Sequence, residues 1–290
     1  MKDYIVGLGE VLWDVFPTGK KLGGAPANFA YHASQFGLDG LAISAVGRDE
    51  LGEEAVAMLA ENGLQFHIDR VEEPTGTVQV TLDANGVPQY EIKTGVAWDN
   101  IPYTRELAEI ASQTRAVCWG SLAQRSEVSR QTINWFLDAV PSDCLKVFDI
   151  NLRQHYYSRE VIEESLRRAD ILKINEDEIE IVAEMFGIDS TGYEAKCNSL
   201  MQLFPALKML ILTCGAVGSY VFHNGEVSYL DTPKVDVVDT VGAGDSFTGA
   251  FVACILAGKT VPEAHRKAVD VSAYVCTQAG AMPAIPEDLQ

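Results

Sequence analysis

Short apolar runs separated by helical stretches set the rhythm of this chain. Residues 4–8, 41–46, 116–119, 145–149, 171–174 and 210–213 are rich in Val, Ile, Leu and Ala and are bounded by glycine or polar residues. Runs of this kind predict strands buried on both faces. Helix signals fall between them. Pro26 stands like a first helical residue after Gly23-Gly24, and Gly47–Gly52 runs into Ala55–Ala60. Ser126 reads as the N-cap of a helix to about Val140, with Glu127 suiting its dipole, and residues 261–277 read as another. Two stretches alternate instead. Val78, Val80 and Leu82 face Tyr90 and Ile92 across Asn85-Gly86, and residues 219–222 face 227–230 across Asn224-Gly225. Both read as hairpins. Strands alternating with helices predict a three-layer α/β fold around a mostly parallel sheet, with the first hairpin as an antiparallel insertion. No repeat or linker interrupts residues 1–290, so a single domain is expected.

One stretch combines two demands. Val235, Val237 and Val238 read as extended; Gly242-Ala243-Gly244 is a small-residue turn; Phe247, Phe251, Cys254 and Ile255 form a helical stripe. The turn therefore opens a helix whose unpaired N–H groups attract an anion. Asp245 in the first turn suits the dipole but repels a bound phosphate. Both fit one site if the carboxylate takes a proton from a group attacking that phosphate. On spacing alone, a glycine turn with Asp245 as a capping acid reads equally well. Other phosphate motifs are excluded: no G-x-x-x-x-G-K-[ST] occurs, and G-x-G-x-x-G fails at Phe247.

Composition narrows the partners. The 290 residues are 47% hydrophobic, enough for a sizeable core, and carry a net charge of −19. That charge argues against nucleic acid and anionic membranes, and it leaves any phosphorylated ligand to be met by local cations or metal. Six cysteines lie without a C-x-x-C pair, two of them in apolar strand runs. Buried thiols in a reducing compartment are the expectation, and with neither a leader nor a membrane-length apolar run the expected location is cytoplasmic.

Asp239-Thr-Val-Gly-Ala-Gly-Asp245-Ser-Phe247 resembles the C-terminal signature of ribokinase-like (PfkB-type) sugar kinases. Gly23-Gly24-Ala-Pro-Ala-Asn28 resembles the N-terminal one, and Asp149-x-Asn151-x-Arg153 is similar to a string found in fructokinases and 2-keto-3-deoxygluconate kinases. The resemblance implies the ribokinase-like fold with a small β-sheet lid over the sugar, its strands from about 10–17 and 76–98; on its residues alone the hairpin could equally be an edge meander or a homodimer contact. It implies an ATP-dependent sugar kinase with Mg2+, fructose being the favoured sugar. Asp245 would be the base, and Gly242, Ala243 and Gly244 the anion cradle. Asp14, Gly24, Asn28 and Arg153 would hold the sugar. Thr213, Gly215, Gly218 and Asn175 would lie around ATP, Glu178 would organise Mg2+ through water, and Asp239 would be a monovalent-cation ligand, with K+ itself left open.

The residues alone allow plainer roles. Asp14 between Trp13 and Phe16 is a sugar grip or a loop acid; Arg153 a phosphate contact or a surface ion pair; Asn175–Glu178 a metal organiser or a solvated helix start. Trp98 is a stacking platform or core. Asp49 is expected to bond backbone at its turn. Ribose, 2-keto-3-deoxygluconate and nucleosides remain alternative substrates, and a silent sugar sensor is a rival. A nicotinamide enzyme is disfavoured because the dinucleotide glycine pattern fails at Leu12.

Overall fold

The computed structural model describes residues 2–17, 19–82 and 88–290. In chain order the first half runs β1 (Tyr4–Leu8), β2 (Leu12–Phe16), β3 (Gly19–Gly23), α1 (Ala25–Ser34), β4 (Asp39–Gly47), α2 (Glu50–Glu61), β5 (Gln65–Val71), β6 (Gly76–Leu82), β7 (Pro88–Ile92), α3 (Arg105–Ala111), β8 (Thr114–Trp119) and α4 (Glu127–Ala139). The second half runs β9 (Leu145–Asp149), α5 (Arg159–Arg168), β10 (Ile171–Asn175), α6 (Glu176–Phe186), α7 (Tyr193–Leu203), β11 (Met209–Cys214), β12 (Gly218–His223), β13 (Glu226–Asp231), α8 (Ala243–Leu256) and α9 (Val261–Cys276).

Nine strands form one sheet in the order β13-β12-β11-β10-β9-β8-β1-β4-β5. From β5 to β11 every pairing is parallel; β12 and β13 close the edge antiparallel. Alternation along the strands feeds two cores. Val6 and Leu8 point to the face covered by α3–α7, where Phe136, Leu166 and Val182 pack. Ile5 points to the face covered by α1, α2, α8 and α9, with Phe29, Leu59, Phe251 and Val271. This is the three-layer α/β arrangement that the pattern predicts, the ribokinase-like fold.

A second sheet, β3-β2-β6-β7, stands apart. Only β2 with β6 is parallel. The Asn85-Gly86 turn proposed for its hairpin lies outside the described residues. Hydrogen bonds tie this sheet to the loops beyond the parallel strands: Gln154 Nε2 to Tyr90 O at 2.6 Å, Tyr156 Oη to Ile92 O at 3.1 Å, and Arg125 Nη2 to Lys93 O at 2.6 Å.

Several local expectations change. Residues 235–238 join no strand; Val237 and Val238 are exposed and the run walls a cavity described below. Trp98 is fully buried under the Arg125 guanidinium, 3.9 Å from its ring centroid, so it cannot stack on a ligand. Ser126 caps α4 by position, without a side-chain hydrogen bond. Asp49 behaves as expected, accepting from Gly52 N at 2.8 Å and Thr75 N at 2.8 Å. Asn224 and Gly225 take φ of 48° and 79°, as a tight hairpin between β12 and β13 requires.

Candidate active site

The α8 turn forms as the small residues dictate. Gly242 caps the helix at φ 79°, the left-handed region open to glycine, and an added Cβ would lie 2.7 Å from Ala281 O. No side chain caps α8. Ser246 N returns to Gly242 O at 2.8 Å, and Ala243 N reaches Thr240 O at 3.3 Å. The N–H groups of Gly242 and Gly244 therefore have no acceptor among the described residues. The expected cradle of three is thus two open donors, with Ala243 part of the turn's own bonding.

Asp245 follows in the first turn of α8. Its Oδ2 accepts from Asn28 Nδ2 at 2.7 Å. Two sequence choices make that contact. Pro26 is the second residue of α1 and suits its first turn, where Asn28 also lies. Gly249, one turn along α8 from Asp245, lets the helices cross closely: a Cβ there would stand 2.9 Å from Phe29 O. Burial, aided by the Asp149 charge, pushes the Asp245 carboxyl up to about 6; the Asn28 bond and the charges of Lys173 and Arg153 oppose this. A carboxylate with that affinity is ionised at neutral pH and still basic enough to accept a proton from an alcohol.

Beside it lies Glu10, which sequence reasoning missed. The residue is 3% exposed and its Oε2 has no hydrogen-bond partner. Burial pushes its carboxyl up to about 7, with Asp245 adding to the rise and Arg153 opposing it. Asn28 Oδ1 is a second buried acceptor without a donor. Unfilled buried acceptors call for a ligand rich in hydroxyl donors.

Asp14 sits on β2, opposite Lys21 of β3. Burial raises its carboxyl above the usual range, while the charges of Arg153 and Lys21 pull it down. Trp13 points to the other face of the strand, buried and donating to Leu51 O at 2.9 Å, so it cannot share a sugar with Asp14. Phe16, two residues on, keeps the Asp14 side. Gly24 caps α1, where a Cβ would press on Glu10 O at 2.3 Å. Arg153 is exposed beyond β9 and donates to Leu152 O at 3.0 Å. Asn151, with φ 43°, turns the chain there.

On the other side of the α8 turn a cavity of about 710 Å³ opens. Thr213, Gly215, Gly218 and Asn175 line it, together with Gly244 and Val235. Asn175 and Glu178 form a capping box on α6: Asn175 Oδ1 accepts from Glu178 N at 2.9 Å, and Glu178 Oε2 from Asn175 N at 3.0 Å. Glu178 Oε1 accepts from Leu152 N at 2.8 Å, which ties the β9 and β10 exits together. Glu178 is 5% exposed and does not line the cavity, so its observed contacts are structural. Asp239 accepts from Val241 N at 3.1 Å, Gly280 N at 3.2 Å and Lys21 Nζ at 3.0 Å. A lysine ammonium already stands against the carboxylate proposed for a monovalent cation.

A mostly parallel sheet with an anion-cradling helix start, a basic carboxylate and a cavity beside them defines a group-transfer site of the kinase type. Residues 4–288 match the family described as pfkB family carbohydrate kinase, and the chain belongs to that family. It is 30% identical to a protein named fructokinase from Klebsiella pneumoniae, covering 98% of this chain and 97% of that one. It is 28% identical to an ATP-dependent 6-phosphofructokinase from Thermoanaerobacterium thermosaccharolyticum, covering 98% and 91%. A fructokinase from Xylella fastidiosa solved with bound ATP shares the fold at a TM-score of 0.87 and 20% identity, over 99% and 96% of the two chains.

Proposed function

We propose that this carbohydrate kinase transfers the γ-phosphoryl group of ATP to a hydroxymethyl group of fructose. The observation that carries the reading is Asp245, held by Asn28 at 2.7 Å beside the open N–H groups of Gly242 and Gly244. The sugar hydroxyl gives its proton to Asp245 as its oxygen bonds to phosphorus. The two N–H groups take up charge on the migrating phosphoryl group. Glu10, Asp14, Asn28 and Arg153 hold the sugar, and the small sheet closes over it, excluding water as the lid of a single kinase domain. The cavity beyond Gly244 takes the nucleotide, its exposed valines meeting the base.

Mg2+ fits this arrangement as a phosphate-bound ion. Among the described residues no three His, Cys, Asp or Glu side chains cluster to grip a metal, so the nucleotide and water supply the contacts. Asp149, whose Oδ1 accepts no hydrogen bond, and Glu178 and Asn175 would stand behind those waters. When bound, the ion neutralises phosphate charge. K+ fits poorly at Asp239 while Lys21 is docked there.

Fructose is favoured by the Gly23–Asn28 and Asp149–Arg153 strings and by the Klebsiella relative's name. A phosphorylated sugar is disfavoured by charge. Lys20 and Lys21 on β3 are taken by Glu54 and Asp239, leaving no cation pair on that strand for a second phosphate. Six thiols without a disulfide suit a reducing cytoplasm. Coupled ADP release separates the substrates: fructose should give the highest kcat/KM, against ribose, 2-keto-3-deoxygluconate, adenosine and fructose 6-phosphate. A preference of tenfold or more for any other acceptor overturns the assignment.

A further inference from the structure

Beside the open turn of α8 stands a buried cation that the site above leaves without a role, Lys173. It is paired in register with Asp149 across β9 and β10, so the two side chains leave the same face of the sheet, and their charged ends are 3.2 Å apart. The residue is only 7% exposed, yet it lines the nucleotide cavity. A Cβ built on Gly244 would lie 2.8 Å from its Nζ, so the ammonium abuts the open turn of α8. The other lysine on that cavity, Lys234, is exposed.

A structural role must be weighed first. Asp149 of β9, Glu178 of α6 and Asp245 of α8 all act on the ammonium, and a buried lysine could serve merely to balance them. Three features go beyond balance. Glu178 already accepts two backbone N–H groups and needs no ammonium. Asp149 Oδ1 is poorly aligned for a hydrogen bond from Lys173 despite the short distance. And glycine at 244 is what keeps room beside Nζ on the cavity side.

We propose that Lys173 is a second catalytic residue: its ammonium contacts the transferring phosphoryl oxygens across Gly244, opposite the Asp245 carboxylate. This rests on the kinase reading above. In the step, the sugar oxygen bonds to phosphorus and the bond from phosphorus to the ADP oxygen breaks. The electron pair of that bond leaves with ADP, and the hydroxyl proton goes to Asp245. Lys173 keeps its protons throughout and acts as charge. Its side chain is buried and paired with Asp149, so little reorganisation accompanies the reaction.

The test compares wild type, Lys173→Met, Lys173→Arg and the double variant Lys173→Met/Asp149→Asn, which removes the ion-pair partner together with the ammonium. Lys173→Met should lower kcat by about 10²–10³-fold with the KM for sugar within about threefold. Affinity for a non-hydrolysable ATP analogue should fall about tenfold while that for AMP holds. Lys173→Arg should regain part of the turnover, and the double variant should fold and stay slow. Equal losses of affinity for AMP, the ATP analogue and sugar would overturn the proposal, as would turnover near wild type in any folded Met variant. If wild type itself releases no ADP with any sugar, the kinase reading falls. The analogue-to-AMP affinity ratio then still decides whether Lys173 meets the terminal phosphate.

Discussion

At two carboxylates of the site, burial on folding raises the affinity for a proton. For Glu10 the affinity for a proton rises from an ordinary 4.5 to about 7 on folding. Between those values the folded chain keeps a proton that the unfolded chain has released, so stability falls as pH rises through that window. Above it the penalty is complete, on the order of 3 kcal/mol. Glu10→Gln should therefore raise Tm at pH 8 and leave it unchanged at pH 4, measured by thermal unfolding at both. Equal gains at both pH values would show that the effect is packing. Asp245 obeys the same sign, from 3.8 to about 6. Its catalytic consequence runs the other way, because the base must be ionised. The kcat/KM for sugar should fall about tenfold per pH unit below about 6 and level off above it. A profile still flat at pH 5 would exclude Asp245 as the group that titrates.

Asn28 meets Asp245 because two helices approach unusually closely, and Gly249 permits it. Gly249→Val would push against Phe29 O and His32 Cβ, which an added Cβ already approaches to 2.9 and 3.0 Å. It should destabilise the chain by about 1–3 kcal/mol and cost about 10²-fold in kcat, seen by chemical denaturation and turnover together. Normal turnover with lowered stability would show that the Asn28 bond tolerates the shift. On the small sheet, β3 reaches the loop before α8 through Lys21 and Asp239. An exposed pair of this kind contributes only about 0–1 kcal/mol, so Lys21→Met should barely move Tm. Its electrostatic effect is more specific. With the ammonium in place, exchanging K+ for Na+ should alter turnover less than about twofold; Lys21→Met should create a dependence on K+. A wild type that already requires K+ would contradict the docked arrangement.

At the scale of the whole molecule, the parallel sheet was legible because buried strands advertise themselves. Residues 145–149 (LKVFD) and 171–174 (ILKI) are mostly apolar, and they form β9 and β10 within a residue. β5 was hidden: Gln65–Val71 carries His67, Asp69 and Arg70 on an edge and lacks that signature. β3 was hidden by its lysines, which suit a half-exposed strand of the small sheet and not a core one. The extended run at 235–238 misled because its valines are exposed to a cavity and not to a sheet. Within the site, glycines, Asp245 and Asn28 were legible through motif spacing. Glu10 and Lys173 were not, since a lone acid after a strand or a lone lysine within one declares its burial only when the neighbouring strands are assembled. The N-x-x-E spacing was legible but ambiguous, and the contacts observed for it are those of a helix cap.

The central claim is that one carboxylate removes the proton from the sugar hydroxyl. Sugar-dependent ADP release by Asp245→Asn, with fructose affinity measured by calorimetry on the same preparation, addresses it directly. The account predicts a fall in kcat of about 10³-fold or more with the dissociation constant for fructose within about threefold. Turnover within about tenfold of wild type would contradict it.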